Sequence, residues 1–243
     1  MERGASLTPV SSRPILAGFY PDPSICRVDD AYYLVTSSFE YSPAVPIFTS
    51  RDLREWRQLG NILDRPAQFT GRSGPDGAST GIYAPTIRHR DGTFWMITTD
   101  RGRMRRGHLI VNATRPEGPW SDPVYTTGIV GIDPDIVWDE DGRSWVAWAD
   151  PIQQGISIVE VDLATGALRS EPTLLWRGTG LAHPEGPHLY RHRDWWYLLI
   201  AEGGTHTGHA VSVARSPDLL GPYEVNAANP ILTAADWSEP VNA

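Results

Sequence analysis

The sequence of 243 residues contains little cysteine and no long apolar run, and both shortages exclude classes of protein. Cys26 is the single cysteine, so an internal disulfide framework is excluded. No segment approaches the roughly 20 apolar residues of a membrane-spanning helix, which argues against a membrane protein. The N-terminal residues lack the apolar stretch of roughly 7–15 residues found in a secretory signal. We therefore expect a cytoplasmic protein.

Positive charge is also scarce. The formal net charge is −8, from 29 acidic and 21 basic residues. Because nucleic-acid binding needs clustered basic residues that neutralise phosphates, this balance argues against a nucleic-acid partner. We interpret the one basic cluster, Arg101–Arg106, as a solvated loop. No set of His, Cys and carboxylate residues matches a transition-metal motif, so neither a metal nor a cofactor is expected.

Uninterrupted segments are short. The chain has 23 glycines and 21 prolines, which break it every few residues and leave little room for long helices. Few segments show the apolar period of a helix. The sequence therefore predicts an all-β fold with many short strands.

A repeat of about 50 residues runs through the chain. It is marked by prolines that stand 62, 49 and 53 residues apart, at Pro23, Pro85, Pro134 and Pro187. Each proline precedes a short apolar run, and a tight turn then leads into a strand with an aromatic residue. These aromatic residues keep a similar spacing, at Tyr33, Trp95, Trp145 and Trp196.

Each repeat contains about four short strands. A period near 50 residues with four strands per unit indicates a β-propeller. Four units are recognised, the last ending near Glu224, and we assign residues 1–243 to a single catalytic propeller domain. Because the next unit stops at Ala243, two alternatives remain open. Either the ring has four blades, or the chain is truncated before a fifth.

Three of the four repeats begin with a carboxylate: Asp22, Asp133 and Glu185. Because the first strand of each blade lies nearest the axis, we expect these side chains at the mouth of one central funnel. Glycoside hydrolysis requires two carboxylic groups across a pocket, one to deprotonate a water and one to protonate the leaving oxygen. A third acid would help to separate their pKa values. For each phrase alone, a turn-starting role is the alternative.

Several longer phrases, in the same order, resemble glycoside hydrolase family 43, in its β-xylosidase and α-L-arabinofuranosidase branch. They are Arg13–Val28, Thr36–Glu40, Tyr83–Pro85, Asp133–Pro134, Glu185–Tyr190 and Ala201–Thr205. The resemblance covers most of the chain, from about residue 13 to 233. It implies a five-bladed propeller, of which about four blades are present here. The last blade and a C-terminal β-sandwich would then be missing.

The resemblance also implies a role for each acid. Asp22 matches the general base and Glu185 the general acid. Asp133 matches a third acid that orients the general acid and raises its pKa. The implied reaction is a single displacement with inversion.

Three residues are candidates for substrate binding. Phe39 and Tyr83 match positions where the family places aromatic rings beside the sugar, and His206 is a candidate for contacts with sugar hydroxyls. The expected substrates are xylo-oligosaccharides that end in β-D-xylose. The alternatives are α-L-arabinofuranosidase activity on arabinose-substituted oligosaccharides, and a non-catalytic carbohydrate-binding or inactive truncated propeller. An open sheet edge would favour a homo-oligomer or completion by another chain.

Overall fold

The structure is a computed structural model that describes residues 14–69, 79–205 and 208–233. Within those ranges, eighteen strands form four antiparallel sheets. We number the sheets as blades 1 to 4 in chain order. Each sheet begins at one of the sequence repeats, so the predicted repeat corresponds to one sheet.

Blades 1 and 2 are four-stranded meanders in which each strand pairs with the next. Blade 1 contains β1 (Ser24–Val28), β2 (Ala31–Val35), β3 (Ala44–Ser50) and β4 (Arg57–Leu63). Blade 2 contains β5 (Thr86–Arg90), β6 (Thr93–Thr98), β7 (Leu109–Ala113) and β8 (Val124–Tyr125). In the turn between β5 and β6, Asp91 has φ 49° and Gly92 φ 76°. Two left-handed residues are what a type I′ hairpin requires.

Blades 3 and 4 each contain five strands. Blade 3 contains β9 (Ile132–Trp138), β10 (Ser144–Asp150), β11 (Gly155–Asp162), β12 (Ala167–Leu168) and β13 (Thr173–Trp176). Blade 4 contains β14 (Glu185–His192), β15 (Trp195–Glu202), β16 (Ala210–Ser216), β17 (Glu224–Val225) and β18 (Leu232–Thr233). The fifth strand of each blade pairs with the third, beside the fourth: β13 with β11, and β18 with β16.

Three apolar layers join the four blades face to face. The layer between blades 1 and 2 includes Val35, Ile47, Ile87 and Met96. The layer between blades 2 and 3 includes Ile97, Ile110, Val146 and Trp148. The layer between blades 3 and 4 includes Trp145, Ala147, Trp196 and Leu198. Alternate residues of β10 therefore enter different layers, because successive side chains of a strand point to opposite faces.

These sheets form a β-propeller arrangement, which confirms the predicted fold class. The first strands β1, β5, β9 and β14 follow one another on the inside, in contact from each blade to the next. In the part of the chain that the structure describes, no fourth apolar layer joins blade 4 to blade 1. The described residues thus contain four blades and three layers.

Side chains connect the inner strands across the blades. The Ser24 hydroxyl accepts a hydrogen bond from the Ile87 N–H at 3.1 Å, which joins β1 to β5. Arg88 donates to the Asp135 carboxylate at 2.6 Å, which joins β5 to β9. The other oxygen of Asp135 accepts from the Leu189 N–H at 2.7 Å, which joins β9 to β14. These bonds fix the relative positions of the strands that begin near the predicted acids.

The basic segment Arg101–Arg106 is solvated as predicted, with no buried residue, but it forms a short 3₁₀ helix kinked at Arg103 where a loop was predicted. The Asp100 carboxylate begins this helix by accepting a hydrogen bond from the Gly102 N–H at 2.9 Å. The Arg106 guanidinium lies 4.0 Å from the centre of the Tyr125 ring. Among the described residues, no helix has the length and apolar character needed to cross a membrane.

Candidate active site

The three acids predicted from the repeat surround one cavity. Asp22 lies two residues before β1, Asp133 is the second residue of β9, and Glu185 is the first residue of β14. All three line a cavity of about 150 Å³, and each remains partly exposed. The structure therefore brings together residues that are up to 163 positions apart in the chain.

Irregular backbone turns these acids toward the cavity. Asp22 and Asp133 have φ values of 55° and 54°, and Gly186, which follows Glu185, has a φ of 57°. Strands β9 and β14 each gain one residue relative to their partner strand at this point. Such β-bulges re-aim side chains at strand ends. A left-handed conformation costs a non-glycine residue about 1–2 kcal/mol, so Asp22 and Asp133 hold local strain.

Hydrogen bonds to two of the acids come from neighbouring segments. The carboxylate of Asp133 accepts from the Gly186 N–H at 3.2 Å, which connects β9 to the start of β14. The Ser37 hydroxyl donates to the Asp22 carboxylate. The Ser37 N–H also donates to the carbonyl oxygen of Pro21 at 3.0 Å. The segment just after β2 therefore holds the segment that contains Asp22.

The pKa values of Asp133 and Glu185 are both raised above their ordinary values. Burial is the largest cause for Asp133, and the charges of Glu185 and Asp22 raise its pKa further, to well above the usual range. Burial also raises the pKa of Glu185; His209 and His183 oppose the shift, and Asp22 adds to it. Like charges gathered in a partly buried site hold protons more readily than isolated carboxylates do.

The pKa of Asp22 is raised as well, and burial is again the largest cause. Two groups act in the opposite direction: the hydrogen bond from Ser37 and, after it, the charge of His209. Of the three acids, Asp22 alone receives a hydroxyl hydrogen bond among the described residues. Its environment therefore combines a desolvated carboxyl group with a specific donor to the ionised form.

His209 also lines the cavity, and sequence analysis did not predict this position. It is 5% exposed and lines the cavity together with Thr205. Its Nδ1 lies 2.8 Å from the carbonyl oxygen of Gly204. Because a carbonyl can only accept, Nδ1 carries the proton in this contact, which fixes the ring orientation. The sequence feature that could have indicated this position is a histidine directly before β16, the third strand of blade 4. His206, predicted to contact sugar, lies outside the described residues.

Phe39 and Tyr83 pack against each other, with ring centres 5.6 Å apart. Phe39 is held by two backbone hydrogen bonds with Ile82, of 2.8 and 3.0 Å. Neither ring lines the cavity, although Ala84, the neighbour of Tyr83, does. The structure thus places the two aromatic residues together and next to the cavity wall.

Two other buried acids, Glu202 and Asp135, do not line the cavity and are bound to neighbouring residues. Glu202 is fully buried and accepts hydrogen bonds from the N–H and hydroxyl of Thr179 at 3.0 and 2.6 Å. Asp135 is fully buried in its ion pair with Arg88. Across the ranges that the structure describes, no group of three or more His, Cys, Asp or Glu residues is arranged to hold a metal ion.

Comparisons with known proteins agree on one family. The profile of the family described as "Glycosyl hydrolases family 43" matches residues 11–243. A xylosidase/arabinosidase of Butyrivibrio fibrisolvens is 44% identical over 236 residues, covering 92% of this chain and 45% of the relative. A non-reducing end α-L-arabinofuranosidase of Bacteroides ovatus is 42% identical, covering 90% of this chain and 41% of the relative.

Solved structures give the same result. The crystal structure of a xylan β-1,4-xylosidase from Bacillus halodurans matches with a TM-score of 0.83 at 40% identity. The match covers 92% of this chain and 45% of that structure. The chain belongs to glycosyl hydrolase family 43, and it spans less than half the length of the curated relatives it matches.

Proposed function

We propose that this chain hydrolyses glycosides, removing terminal β-D-xylosyl residues from xylo-oligosaccharides. The observation that carries the proposal is the convergence of Asp22, Asp133 and Glu185 on one cavity. Relatives named as xylosidase/arabinosidase support the same substrate class.

In the proposed reaction, Asp22 is the general base and Glu185 the general acid. Asp22 takes a proton from a water molecule, whose oxygen forms a bond to the anomeric carbon. The bond from that carbon to the glycosidic oxygen breaks, and Glu185 donates its proton to the leaving oxygen. Single displacement inverts the anomeric configuration. Turnover leaves Asp22 protonated and Glu185 ionised, and exchange with solvent restores both.

The environments of these acids suit those roles. Burial raises the pKa of Glu185, which favours the protonated form that a general acid needs. The Ser37 hydrogen bond favours the ionised form of Asp22 that a general base needs. The Asp133 carboxylate accepts a hydrogen bond from the N–H of Gly186, the residue after Glu185. This hydrogen bond supports a role for Asp133 in orienting Glu185. Phe39 and Tyr83 are proposed to contact the sugar from the edge of the cavity.

The proposal is tested with nitrophenyl β-D-xyloside and nitrophenyl α-L-arabinofuranoside as substrates of the purified chain. Asp22→Asn should lower kcat on both substrates by about 10²–10⁴-fold, the contribution typical of a general base. Glu185→Gln should give a loss of that size on xylobiose, whose leaving sugar oxygen needs a proton. Glu140→Gln is the matched control, because Glu140 is an exposed acid paired only with the surface residue Arg191 among the described residues. It should leave kcat unchanged.

Two further measurements separate the roles. A substrate with a better leaving group should restore part of the activity of Glu185→Ala but none of that of Asp22→Ala, because such a group needs less protonation. NMR of the first-formed sugar should show the inverted anomer. Faster turnover of the arabinofuranoside would identify an arabinofuranosidase. Binding of xylobiose without hydrolysis would identify a non-catalytic binding propeller and refute the proposal.

We also propose that the chain associates with a second copy or another polypeptide. The support is the face of blade 4 that points away from blade 3, where Leu199, Val211 and Val213 are half-exposed. Light scattering of the purified chain tests association with a second copy, and a monomer at all concentrations would exclude that association. A cytoplasmic location is proposed from the sequence alone, and cell fractionation tests it.

A further inference from the structure

The segment after β2 makes two contacts with the segment that contains Asp22. The Ser37 hydroxyl donates to the Asp22 carboxylate, and the Ser37 N–H donates to the Pro21 carbonyl at 3.0 Å. One residue thus holds both the backbone before Asp22 and its side chain. Because Ser37 is only 1% exposed, bulk water cannot readily replace these bonds.

We propose that Ser37 is a positioning residue that holds the Asp22 carboxylate in one orientation and favours its ionised form. The inference rests on the proposed role of Asp22 as the general base. A serine hydroxyl that donates to a carboxylate stabilises the charged form, and a charge-assisted bond of this kind is stronger than one between neutral groups.

The backbone of Asp22 makes such support necessary. Asp22 has a left-handed φ of 55°, a conformation that a non-glycine residue keeps only when its surroundings enforce it. Asp22 lies outside β1, so the ladder bonds between β1 and β2 do not hold it. The two bonds from Ser37 supply constraint at this position.

Other charged groups also face Asp22. Asp133 and Glu185 come from β9 and β14, and the charge of Asp22 raises the pKa of both. The charge of His209, directly before β16, lowers the pKa of Asp22. Among the groups that lower the pKa of Asp22, the Ser37 hydrogen bond has the largest effect. Ser37 is therefore the residue to replace if the protonation of Asp22 is to be changed without altering a charge.

The neighbouring Ser38 is a matched control. It is also buried, at 5% exposed, but its hydroxyl accepts a hydrogen bond from the Val45 N–H at 3.2 Å and makes no contact with Asp22 among the described residues. Ser38→Ala removes the same atom from the adjacent position. The Ser38→Ala variant tests whether loss of any buried serine hydroxyl in this segment would change the pKa of Asp22.

The first measurement is the pH dependence of kcat/KM in the full chain. Ser37→Ala should move the acidic limb upward by about one pH unit, because loss of the donor raises the pKa of the base. Ser37→Thr, which keeps the hydroxyl, should restore the limb, and Ser38→Ala should leave it in place. A purely structural role for Ser37 would lower activity equally at every pH.

The second measurement does not depend on activity. The Asp22 carboxyl carbon is titrated by NMR in protein labelled with ¹³C-aspartate, and its signal is assigned by its loss in Asp22→Asn. The midpoint in Ser37→Ala should lie about one pH unit above that of the unaltered chain. Should Ser37→Ala fail to fold, Ser37→Cys keeps the volume with a weaker donor and should give a smaller upward shift.

The two measurements separate the inference from the proposed function. Equal midpoints with and without the Ser37 hydroxyl would overturn the inference, even if the protein hydrolyses xylosides. A raised Asp22 midpoint in Ser37→Ala, in a protein that hydrolyses neither the xyloside nor the arabinofuranoside, would support the positioning of Asp22 and refute the proposed function.

Discussion

Replacement of Arg88 by Met should destabilise the propeller strongly, and by more at alkaline than at acidic pH. Arg88 is 12% exposed and its partner Asp135 is fully buried, with 2.6 Å between guanidinium and carboxylate. Arg88 also donates to the carbonyl oxygen of Ile136 at 3.2 Å. Its removal leaves the Asp135 carboxylate with backbone N–H donors alone, those of Leu189 and Ile136. Breaking a buried ion pair on one side typically costs about 3–5 kcal/mol.

The pH dependence follows from the pKa of Asp135. Burial raises that pKa from 3.8 to about 6, although Arg88 opposes the rise. The folded state therefore binds more protons than the unfolded state between about pH 4 and 6. Stability falls as pH rises through that window, by about 3 kcal/mol for this group. Without Arg88 the pKa of Asp135 rises further, so the window extends upward and the variant loses additional stability above pH 6.

Urea unfolding followed by tryptophan fluorescence at pH 5 and pH 8 measures these free energies. The set contains Arg88→Met, Asp135→Asn and the double variant, whose cycle gives the coupling energy between the two residues. Arg191→Met is the matched control, since its partner Glu140 is 75% exposed and their ion pair should be worth less than about 1 kcal/mol. A cost for Arg88→Met that is below about 1 kcal/mol at pH 8, or equal at both pH values, would refute the reasoning.

Two further predictions concern a tight turn and the acid cluster. Gly107→Ala should lower the free energy of unfolding by more than about 2 kcal/mol, because its φ is 89° and a Cβ would collide with the carbonyl of Thr126. Gly92→Ala, with a φ of 76° and open space around it, should cost about 1 kcal/mol in the same denaturation assay; equal costs would contradict the role of the collision. Glu185→Gln should lower the pKa of Asp133, because the charge of Glu185 raises it. Titration of ¹³C-labelled aspartate by NMR checks this, and an unchanged or raised midpoint would exclude repulsion as the cause.

The repeat in the sequence was enough to predict the fold class. Trp145 and Trp196 stand about 50 residues apart, and both are buried in the layer between blades 3 and 4, which they enter from opposite sides. A buried aromatic residue on a strand of each unit indicates sheets that pack face to face. The spacing of the repeat also predicted that Asp133 and Glu185 would lie at the start of inner strands, as they do.

Local irregularities could not be predicted from the same pattern. The contacts of Ser37 and His209 with the acid cluster depend on bulges and loops that bring separate segments together, and the spacing of the repeat does not encode them. The helix at Arg101–Arg106 was missed for a related reason. It depends on the Asp100 carboxylate as an N-terminal cap, and six residues with four arginines show no apolar period.

The three apolar layers have a consequence for how the cluster of acids would come apart on heating. Blades 2 and 3 are packed on both faces, whereas blades 1 and 4 share one layer each among the described residues. In an array of units that contact only their neighbours, the end units open at a lower free-energy cost than the interior. Asp22 belongs to one end unit and Glu185 to the other, while Asp133 belongs to the interior. Among the described residues, local opening of blade 1 or blade 4 would therefore separate Asp22 from Glu185 while blades 2 and 3 are still folded.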